Sequence, residues 1–211
     1  MNKAVIFDMD GTIWDSSHQV TDSWNIVLKK YNNADEISYK DMQNCMGLMM
    51  DEIFKRLLPK CSENERKIIQ KECEEFENEY LCTHCGYLYD GLETTLKSLK
   101  AMGYKPMIVT NAQDGYVQAF FKSSGLGELF EDYEMFGRTM LSKDKNIKLI
   151  MNRNNIQKAV YVGDTFWDYK SSTAAGLPFI HASYGFDNVK EAKWKINSLS
   201  ELVTLVPEII G

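Results

Sequence analysis

The sequence lacks both a long apolar run and a cluster of basic residues. No apolar stretch approaches the ~20 residues that a membrane helix requires, so no membrane association is expected. Acidic residues outnumber basic ones by 30 to 24, for a net charge of −6. A nucleic acid is not expected as a partner, because binding its phosphates requires clustered Lys and Arg. The basic-then-apolar pattern of a secretory signal is also missing, which predicts a cytoplasmic protein.

Cysteine is scarce and shows no pairing pattern. The five cysteines are odd in number and none lies beyond position 85, which argues against a disulfide framework. Cys82 and Cys85 form one C-x-x-C spacing. A zinc site needs four ligands and no second pair follows, so we expect reduced thiols.

Short apolar runs alternate with helical patterns over most of the chain. The runs are continuous rather than alternating, which is typical of strands buried on both faces of a parallel sheet. They occupy residues 3–7, 106–110, 159–163 and 178–182. Helical patterns occupy residues 92–102, 116–124, 144–154, 167–175 and 200–210, with Pro207 as a kink or early end of the last helix. This alternation predicts an α/β fold with a doubly wound parallel sheet.

One segment interrupts the alternation with helices alone. Helical spacing covers 21–31, a short helix over 51–58 ends before Pro59, and Ser62 and Glu65 form a capping box for a third helix. The expected apolar face of that helix consists of Ile68, Ile69, Cys73, Phe76 and Tyr80. We therefore expect two domains: a sheet domain of residues 1–15 and 87–211, and a smaller all-helical domain of residues 16–86 inserted after the first strand.

Polar residues follow three of the predicted strands. Ligands of open α/β sheets bind outside the carboxyl ends of the strands, and residues two apart on a strand point the same way. Gly11 allows a sharp turn there. The candidate site residues are Asp8, Asp10, Gly11, Thr12, Thr110, Asn111, Lys143, Asp164 and Asp168.

These residue types favour phosphoryl transfer. Clustered carboxylates repel each other and need a cation, and oxygen-only ligands suit Mg²⁺. A metal, a lysine and a threonine hydroxyl around a carboxylate neutralise and position a phosphoryl group. One Asp can act as nucleophile, and a second can protonate the leaving oxygen and later activate water.

The four motifs resemble those of the haloacid dehalogenase superfamily. The resemblance covers nearly the whole chain and includes D-x-D-G-T from Asp8, Thr110-Asn111, Lys143 and G-D-x-x-x-D from Gly163. Asp15-Ser16 is similar to the phosphoglycolate-phosphatase-like branch, whose helical cap is inserted where the helical segment lies here. The resemblance implies a Rossmann-like core with a cap domain and a Mg²⁺-dependent phosphatase.

The resemblance also implies a role for each motif residue. Asp8 would be nucleophile and metal ligand. Asp10 would be general acid and base and would give its backbone carbonyl to the metal. The phosphoryl group would be bound by Thr110, the backbone N–H of Asn111, and Lys143, with Gly11 and Thr12 expected beside the substrate. The metal would be held by Asp164, and by Asp168 directly or through water.

Some positions depart from this family or leave alternatives open. The third motif reads Ser142-Lys143-Asp144-Lys145 without the frequent Lys-Pro, so Lys145 is a rival for Lys143. The second motif continues into residues 112–114 without the frequent basic residue. Asp15 is as compatible with helix capping as with support of the site. The methionines of residues 42–50 either pack the cap or line the site.

Three functions were weighed. A phosphatase acting on a small phosphorylated metabolite, phosphoglycolate-like or a sugar phosphate, is the first. A phosphosugar mutase of the same fold is the second, but the cap histidine of such mutases is replaced by Val20. A non-catalytic module that binds a phosphorylated ligand is the third, and the presence of Asp8 and Asp10 argues against it. We expect a monomer or weak dimer.

Overall fold

A six-stranded parallel sheet forms the centre of the computed structural model, which describes residues 1–211. Its strand order is β5-β4-β1-β6-β7-β8, and a separate antiparallel ribbon pairs β2 with β3. The strands are β1 (Lys3–Phe7), β2 (Trp14–Asp15), β3 (Tyr87–Leu88), β4 (Tyr104–Thr110), β5 (Asp132–Met135), β6 (Lys158–Gly163), β7 (Phe179–Ala182) and β8 (Trp194–Ile196).

Ten helices accompany the strands. They are α1 (Ser17–Leu28), α2 (Tyr39–Gln43), α3 (Met50–Leu57), α4 (Glu63–Leu81), α5 (Leu92–Ala101), α6 (Tyr116–Ser124), α7 (Phe136–Thr139), α8 (Lys143–Arg153), α9 (Phe166–Ala175) and α10 (Leu202–Ile210). None of these helices is both long and apolar enough to cross a membrane.

Both faces of the sheet are buried. Alternate residues of β1 point to opposite faces: Val5 and Phe7 join the cluster that includes α5 and α10, whereas Ala4 and Ile6 join the cluster that includes α8. This burial explains the continuous apolar runs, because neither face of a central strand needs polar residues. The expectation of an α/β doubly wound parallel sheet is confirmed.

The four helices α1–α4 lie between the two strands of the short ribbon. Trp14 pairs with Leu88 and Asp15 with Tyr87, so the chain leaves the sheet and returns to it at one place. Residues 16–86 contain these four helices, and we call this segment the cap. Its interior contains Trp24, whose ring stacks on Phe54 at 4.3 Å between centroids.

The buried face of α4 differs from the expected one. The capping box of Ser62 and Glu65 is present, but Ile68 is 57% exposed whereas Ile69 is 1% exposed. The buried stripe recurs every four residues and consists of Ile69, Cys73, Glu77 and Leu81. Packing of α4 against α1 selects one of two adjacent isoleucines, and it buries a glutamate that a hydrophobic pattern assigns to solvent.

Other differences concern edges and ends. The strands β5 and β8 were not predicted, because each is a short edge strand with charged residues. The first cap helix begins at Ser17 rather than at residue 21. Pro207 does not end the last helix early. The helix continues to Ile210 because Val206 and Ile210 are buried against the sheet domain. All five cysteines are free, as expected.

The register of α4 predicts unequal effects of two neighbouring substitutions. Ile69→Ala removes buried methyl groups and should lower the free energy of unfolding by about 2–5 kcal/mol. Ile68→Ala, the matched control, should change it by less than about 0.5 kcal/mol. Urea unfolding followed by circular dichroism measures both values, and equal losses would contradict the register described here.

Candidate active site

Three neighbouring strands deliver the candidate residues to one edge of the sheet. β1 lies between β4 and β6, and all three are parallel. Asp8 follows β1, Thr110 ends β4, and Asp164 follows β6. Because the carboxyl ends of parallel strands meet at one edge, the structure brings these groups together where α/β sheets bind ligands.

Lys143 lies among the carboxylates. Its Nζ donates to Asp8 Oδ1 at 3.0 Å and to Asp168 Oδ1 at 2.6 Å, and all three side chains are buried. Lys143 is the first residue of α8, where the helix dipole disfavours a cation. The two carboxylates offset that cost and hold the ammonium in the site. The rival Lys145 is exposed, so only Lys143 is in contact with the other candidate residues.

Asp8, Asp164 and Asp168 form a buried carboxylate triad. Their oxygens lie within 4.8 Å of one another. Burial, followed by repulsion from Asp168, raises the pKa of Asp8 to about 7, although Lys143 lowers it. Burial, and then repulsion from Asp168 and Asp8, also raise the pKa of Asp164. Burial lowers the pKa of Lys143, but Asp168 and Asp8 outweigh it and keep this pKa above its ordinary value.

The triad fits a hard divalent cation. One ammonium does not balance three carboxylates, and the pKa values of Asp8 and Asp164 are raised first by burial and then by repulsion between these carboxylates. The donors are all oxygens, which is the ligand set that Mg²⁺ prefers. Asp8, Asp164 and Asp168 are therefore the residues that can hold such an ion.

Asp164 is fixed from two sides. Thr12 Oγ1 donates to Oδ1 at 3.1 Å, and the backbone N–H of Phe186 donates to Oδ2 at 2.8 Å. Gly11 has a φ of 79°, and a Cβ at this position would overlap the Asp164 carboxylate. Neither Gly11 nor Thr12 lines a cavity at the site. Both residues support Asp164, and their place beside the substrate stays a prediction.

Asp168 is oriented by its own helix. Thr165 is the N-cap of α9, and its backbone N–H and Oγ1 donate to Asp168 Oδ2 at 3.0 and 2.6 Å. The other oxygen, Oδ1, accepts from Lys143 and, at 3.4 Å, from the hydroxyl of Tyr161. Asp168 thereby positions Lys143 as well as contributing to the triad.

Asp10 has a different environment from the triad. The hydroxyl of Ser16 donates to Oδ1 at 2.6 Å, and the hydroxyl of Tyr116 lies 2.8 and 2.9 Å from the two carboxylate oxygens. Burial raises the pKa of Asp10 to about 6, although both hydrogen bonds lower it. A carboxyl that titrates near neutral pH suits proton transfer in both directions. Asp15 instead accepts from the backbone N–H of Ser17, the first residue of α1, at 2.9 Å.

Two cavities open on these residues. The inner cavity extends beneath the cap, has a volume of about 50 Å³, and is bounded by Asp8, Asp10, Trp24, Glu77, Thr110 and Lys143. The outer cavity faces the surface, has a volume of about 550 Å³, and is bounded by Met49, Glu52, Arg56, Ser142, Lys143 and Trp167. Lys143 lies where the two meet.

The loop after β4 joins the cap to the site. Asn111 Nδ2 donates to the backbone oxygen of Gly47 in the cap at 3.3 Å, which leaves the backbone N–H of Asn111 for another acceptor. Thr110 is buried and lines the inner cavity. Met46 and Met50 line that cavity too, whereas Met42 is both buried and part of its wall. The methionines therefore serve in both of the ways that were weighed.

Glu77 is a buried acid of the cap that faces the inner cavity. It is 2% exposed, its Oε1 accepts from Gln113 Nε2 at 2.8 Å, and its Oε2 accepts from the indole N–H of Trp24. Burial raises its pKa to about 8. Next to it, Asn78 Nδ2 donates to the backbone oxygen of Asp114 at 2.8 Å.

Sequence reasoning missed several of these residues. Ser16 was noted only as part of a motif, and Tyr116 only as the start of a helix. Gln113 was noted only for not being basic, and Glu77 was hidden in a highly charged helix. The spacing of Glu77 at four and eight residues from Cys73 and Ile69 is the one sequence signal that places it on the buried face.

Comparison with known proteins gives consistent relatives. The model of the haloacid dehalogenase-like hydrolase family matches residues 5–182. A phosphoglycolate phosphatase of Colwellia psychrerythraea is 26% identical over 222 residues, covering 95% of each chain. The crystal structure of a predicted phosphoglycolate phosphatase from Haemophilus somnus has a TM-score of 0.86 at 22% identity and covers 97% of this chain and 98% of its own.

A structure of β-phosphoglucomutase from Clostridium difficile has a TM-score of 0.79 at 19% identity and covers 99% of this chain and 96% of its own. Such low identity shows the shared fold and not a shared reaction. The family model spans all four motifs and most of the chain. This match confirms the resemblance read from the sequence, and the chain belongs to the haloacid dehalogenase-like hydrolase family.

Proposed function

We propose that this hydrolase is a Mg²⁺-dependent phosphatase that acts on a small phosphorylated metabolite through an aspartyl-phosphate on Asp8. The observation that carries the proposal is the buried contact of Lys143 with Asp8 and Asp168 at the edge of the sheet, beneath a cavity. The relatives named phosphoglycolate phosphatase support the reaction class. A phosphoglycolate-like compound or a sugar phosphate is the expected substrate.

The first half of the reaction transfers the phosphoryl group to the protein. A carboxylate oxygen of Asp8 attacks phosphorus, and the bond between phosphorus and the leaving oxygen breaks. Asp10, held by Ser16 and Tyr116, gives its proton to that oxygen. Its pKa of about 6 leaves part of the carboxyl protonated near neutral pH.

The second half releases phosphate. Asp10, now ionised, takes a proton from a water molecule while the water oxygen attacks phosphorus. The bond between phosphorus and Asp8 breaks, which restores the Asp8 carboxylate and releases inorganic phosphate. The same carboxyl thus serves as acid and then as base.

Charge on the transferring group is neutralised by several residues. Lys143 lies 3.0 Å from the nucleophile, and Thr110 lines the same cavity. The backbone N–H of Asn111 is a further donor for phosphoryl oxygens. Asp8, Asp164, Asp168 and the backbone carbonyl of Asp10 would hold Mg²⁺, and this ion would stabilise negative charge on the phosphoryl oxygens.

A mutase reaction has less support. The likeness to β-phosphoglucomutase is one of fold, and Val20, which lines the inner cavity, cannot transfer a proton. We also propose residues 16–86 as a functional cap, because they wall the cavity. A cytoplasmic monomer or weak dimer remains our expectation. The five free cysteines support the cytoplasmic location.

The nucleophile is tested with p-nitrophenyl phosphate and Mg²⁺. Asp8→Asn should lower kcat by at least about 10³-fold, because the amide cannot attack phosphorus. Beryllium fluoride, which imitates an aspartyl-phosphate, should inhibit the unsubstituted protein. Circular dichroism checks that the variant is folded. Hydrolysis by a folded Asp8→Asn protein at the original rate would show that Asp8 is not the nucleophile.

Metal dependence is a separate prediction. The three carboxylates of the triad need more positive charge than Lys143 supplies, so dialysis against EDTA should abolish hydrolysis of p-nitrophenyl phosphate. Adding Mg²⁺ in excess should restore it, with the rate followed by the absorbance of released nitrophenolate. Undiminished hydrolysis in EDTA would count against a metal-dependent reaction.

The two lysines of the third motif form a matched pair. Lys143→Met removes the charge that faces Asp8 and should lower kcat by about 10²–10³-fold, whereas the exposed Lys145→Met should leave kcat within about twofold. Thermal unfolding of both variants separates loss of activity from loss of folding. Loss of activity in Lys145→Met alone would identify Lys145 as the active-site lysine.

A further inference from the structure

The position of Asp10 indicates where the leaving group lies. If Asp10 protonates the leaving oxygen, as proposed above, the leaving group must be on the Asp10 side of the phosphoryl group. Asp10 lines the inner cavity and does not line the outer one. The inner cavity is therefore the binding place for the leaving group. Thr110, Asn111 and Lys143, which are expected to bind the phosphoryl group, line the same cavity, so both parts of the substrate would meet there.

The inner cavity has no positive charge to offer a leaving group. Its charged side chains are Asp8, Asp10, Glu77 and Lys143, and Lys143 already donates to Asp8 and Asp168. The remaining carboxylates of the triad, Asp164 and Asp168, do not line it. A carboxylate or second phosphate placed here would be buried beside like charges without a partner, which is strongly unfavourable.

Glu77 offers the opposite kind of contact. Each of its oxygens accepts one hydrogen bond, from Gln113 and from Trp24, and a carboxyl oxygen can accept a second. Trp24 is itself stacked on Phe54, so the carboxyl is held in place. As a carboxylate, Glu77 accepts from a hydroxyl or ammonium group and repels an anion, and an ammonium group beside it would itself favour this ionised form.

We propose that Glu77 determines specificity by accepting a hydrogen bond from a hydroxyl or amino group of the leaving group. The preferred substrates are then phosphate monoesters of small neutral or amino alcohols, and esters whose leaving group carries a carboxylate are poor substrates. This inference rests on the proposed phosphatase function and narrows its substrate class: of the substrates proposed above, it excludes phosphoglycolate-like esters and retains those whose leaving group carries hydroxyl groups.

Four esters of nearly equal size test the substrate class. Ethyl phosphate has no donor, 2-hydroxyethyl phosphate has a hydroxyl, phosphoethanolamine has an ammonium, and 2-phosphoglycolate has a carboxylate. We expect kcat/KM for the hydroxyl and ammonium esters to exceed that for 2-phosphoglycolate by at least about tenfold, since a hydrogen bond to a charged group contributes about that factor. The assay measures released phosphate with the unsubstituted protein and Mg²⁺.

Variants then assign the preference to a residue. Glu77→Gln should reduce the advantage of phosphoethanolamine over ethyl phosphate by about tenfold. Glu79→Gln, on the exposed side of the same helix, is the matched control and should keep every ratio. If Glu77 only fastened the cap to the loop after β4, Glu77→Gln would lower all four values in proportion, which would overturn the assignment.

Binding of the leaving group in the outer cavity would be the contrary result. Arg56 lines it, so an anionic leaving group bound there would depend on this residue. A preference for 2-phosphoglycolate that is lost in Arg56→Gln would place the leaving group in the outer cavity and overturn the inference.

p-Nitrophenyl phosphate tests the proposed phosphatase function separately from the substrate preference, because its leaving group departs without a proton from Asp10. Hydrolysis of this ester together with equal values for the four small esters, or with 2-phosphoglycolate preferred, would overturn the inference alone. No hydrolysis of any of the five esters would overturn the proposed function and the inference with it.

Discussion

The ion pairs of Lys143 with Asp8 and Asp168 are the interaction on which the site depends. They join the end of β1 to the first turns of α8 and α9, three parts of the chain that are far apart in sequence. A charge is buried at low cost only when it is paired. Removing Lys143 would leave both carboxylates without compensation. The arrangement therefore positions the nucleophile and also connects the two helices to the sheet.

The two acids of the first motif differ in their neighbours and therefore in their pKa values. Asp8 faces an ammonium and two further carboxylates, whereas Asp10 faces the hydroxyls of Ser16 and Tyr116. Burial and, after it, repulsion between like charges raise the pKa of Asp8 to about 7 in the absence of a metal, and burial raises that of Asp10 to about 6. A divalent cation bound by the triad would favour the ionised form of Asp8, whereas the hydroxyls of Ser16 and Tyr116 hold the Asp10 carboxyl apart from the triad.

The cap and the phosphoryl site share one loop. Residues 111–114 follow β4 and receive the cap at three places: Asn111 contacts Gly47, Gln113 contacts Glu77, and the Asp114 carbonyl accepts from Asn78. Because the loop begins at the residue expected to bind the phosphoryl group, displacement of the cap would also disturb that residue. A cap that selects the substrate, as proposed above, would therefore be coupled to the positioning of the phosphoryl group through this loop.

Local patterns determined much of this protein. Continuous apolar runs predicted the buried strands, helical spacing predicted the inserted helices, and residues at the strand ends predicted the acids of the site, since all of these depend on neighbours in sequence. Only the tertiary structure decided between Lys143 and Lys145, because the choice depends on which side of α8 faces Asp8 and Asp168. It likewise placed Tyr116 beside Asp10 and buried Glu77 of the cap against Gln113. These contacts join residues 106 and 36 positions apart, and no periodicity within a single element carries information about a partner in another.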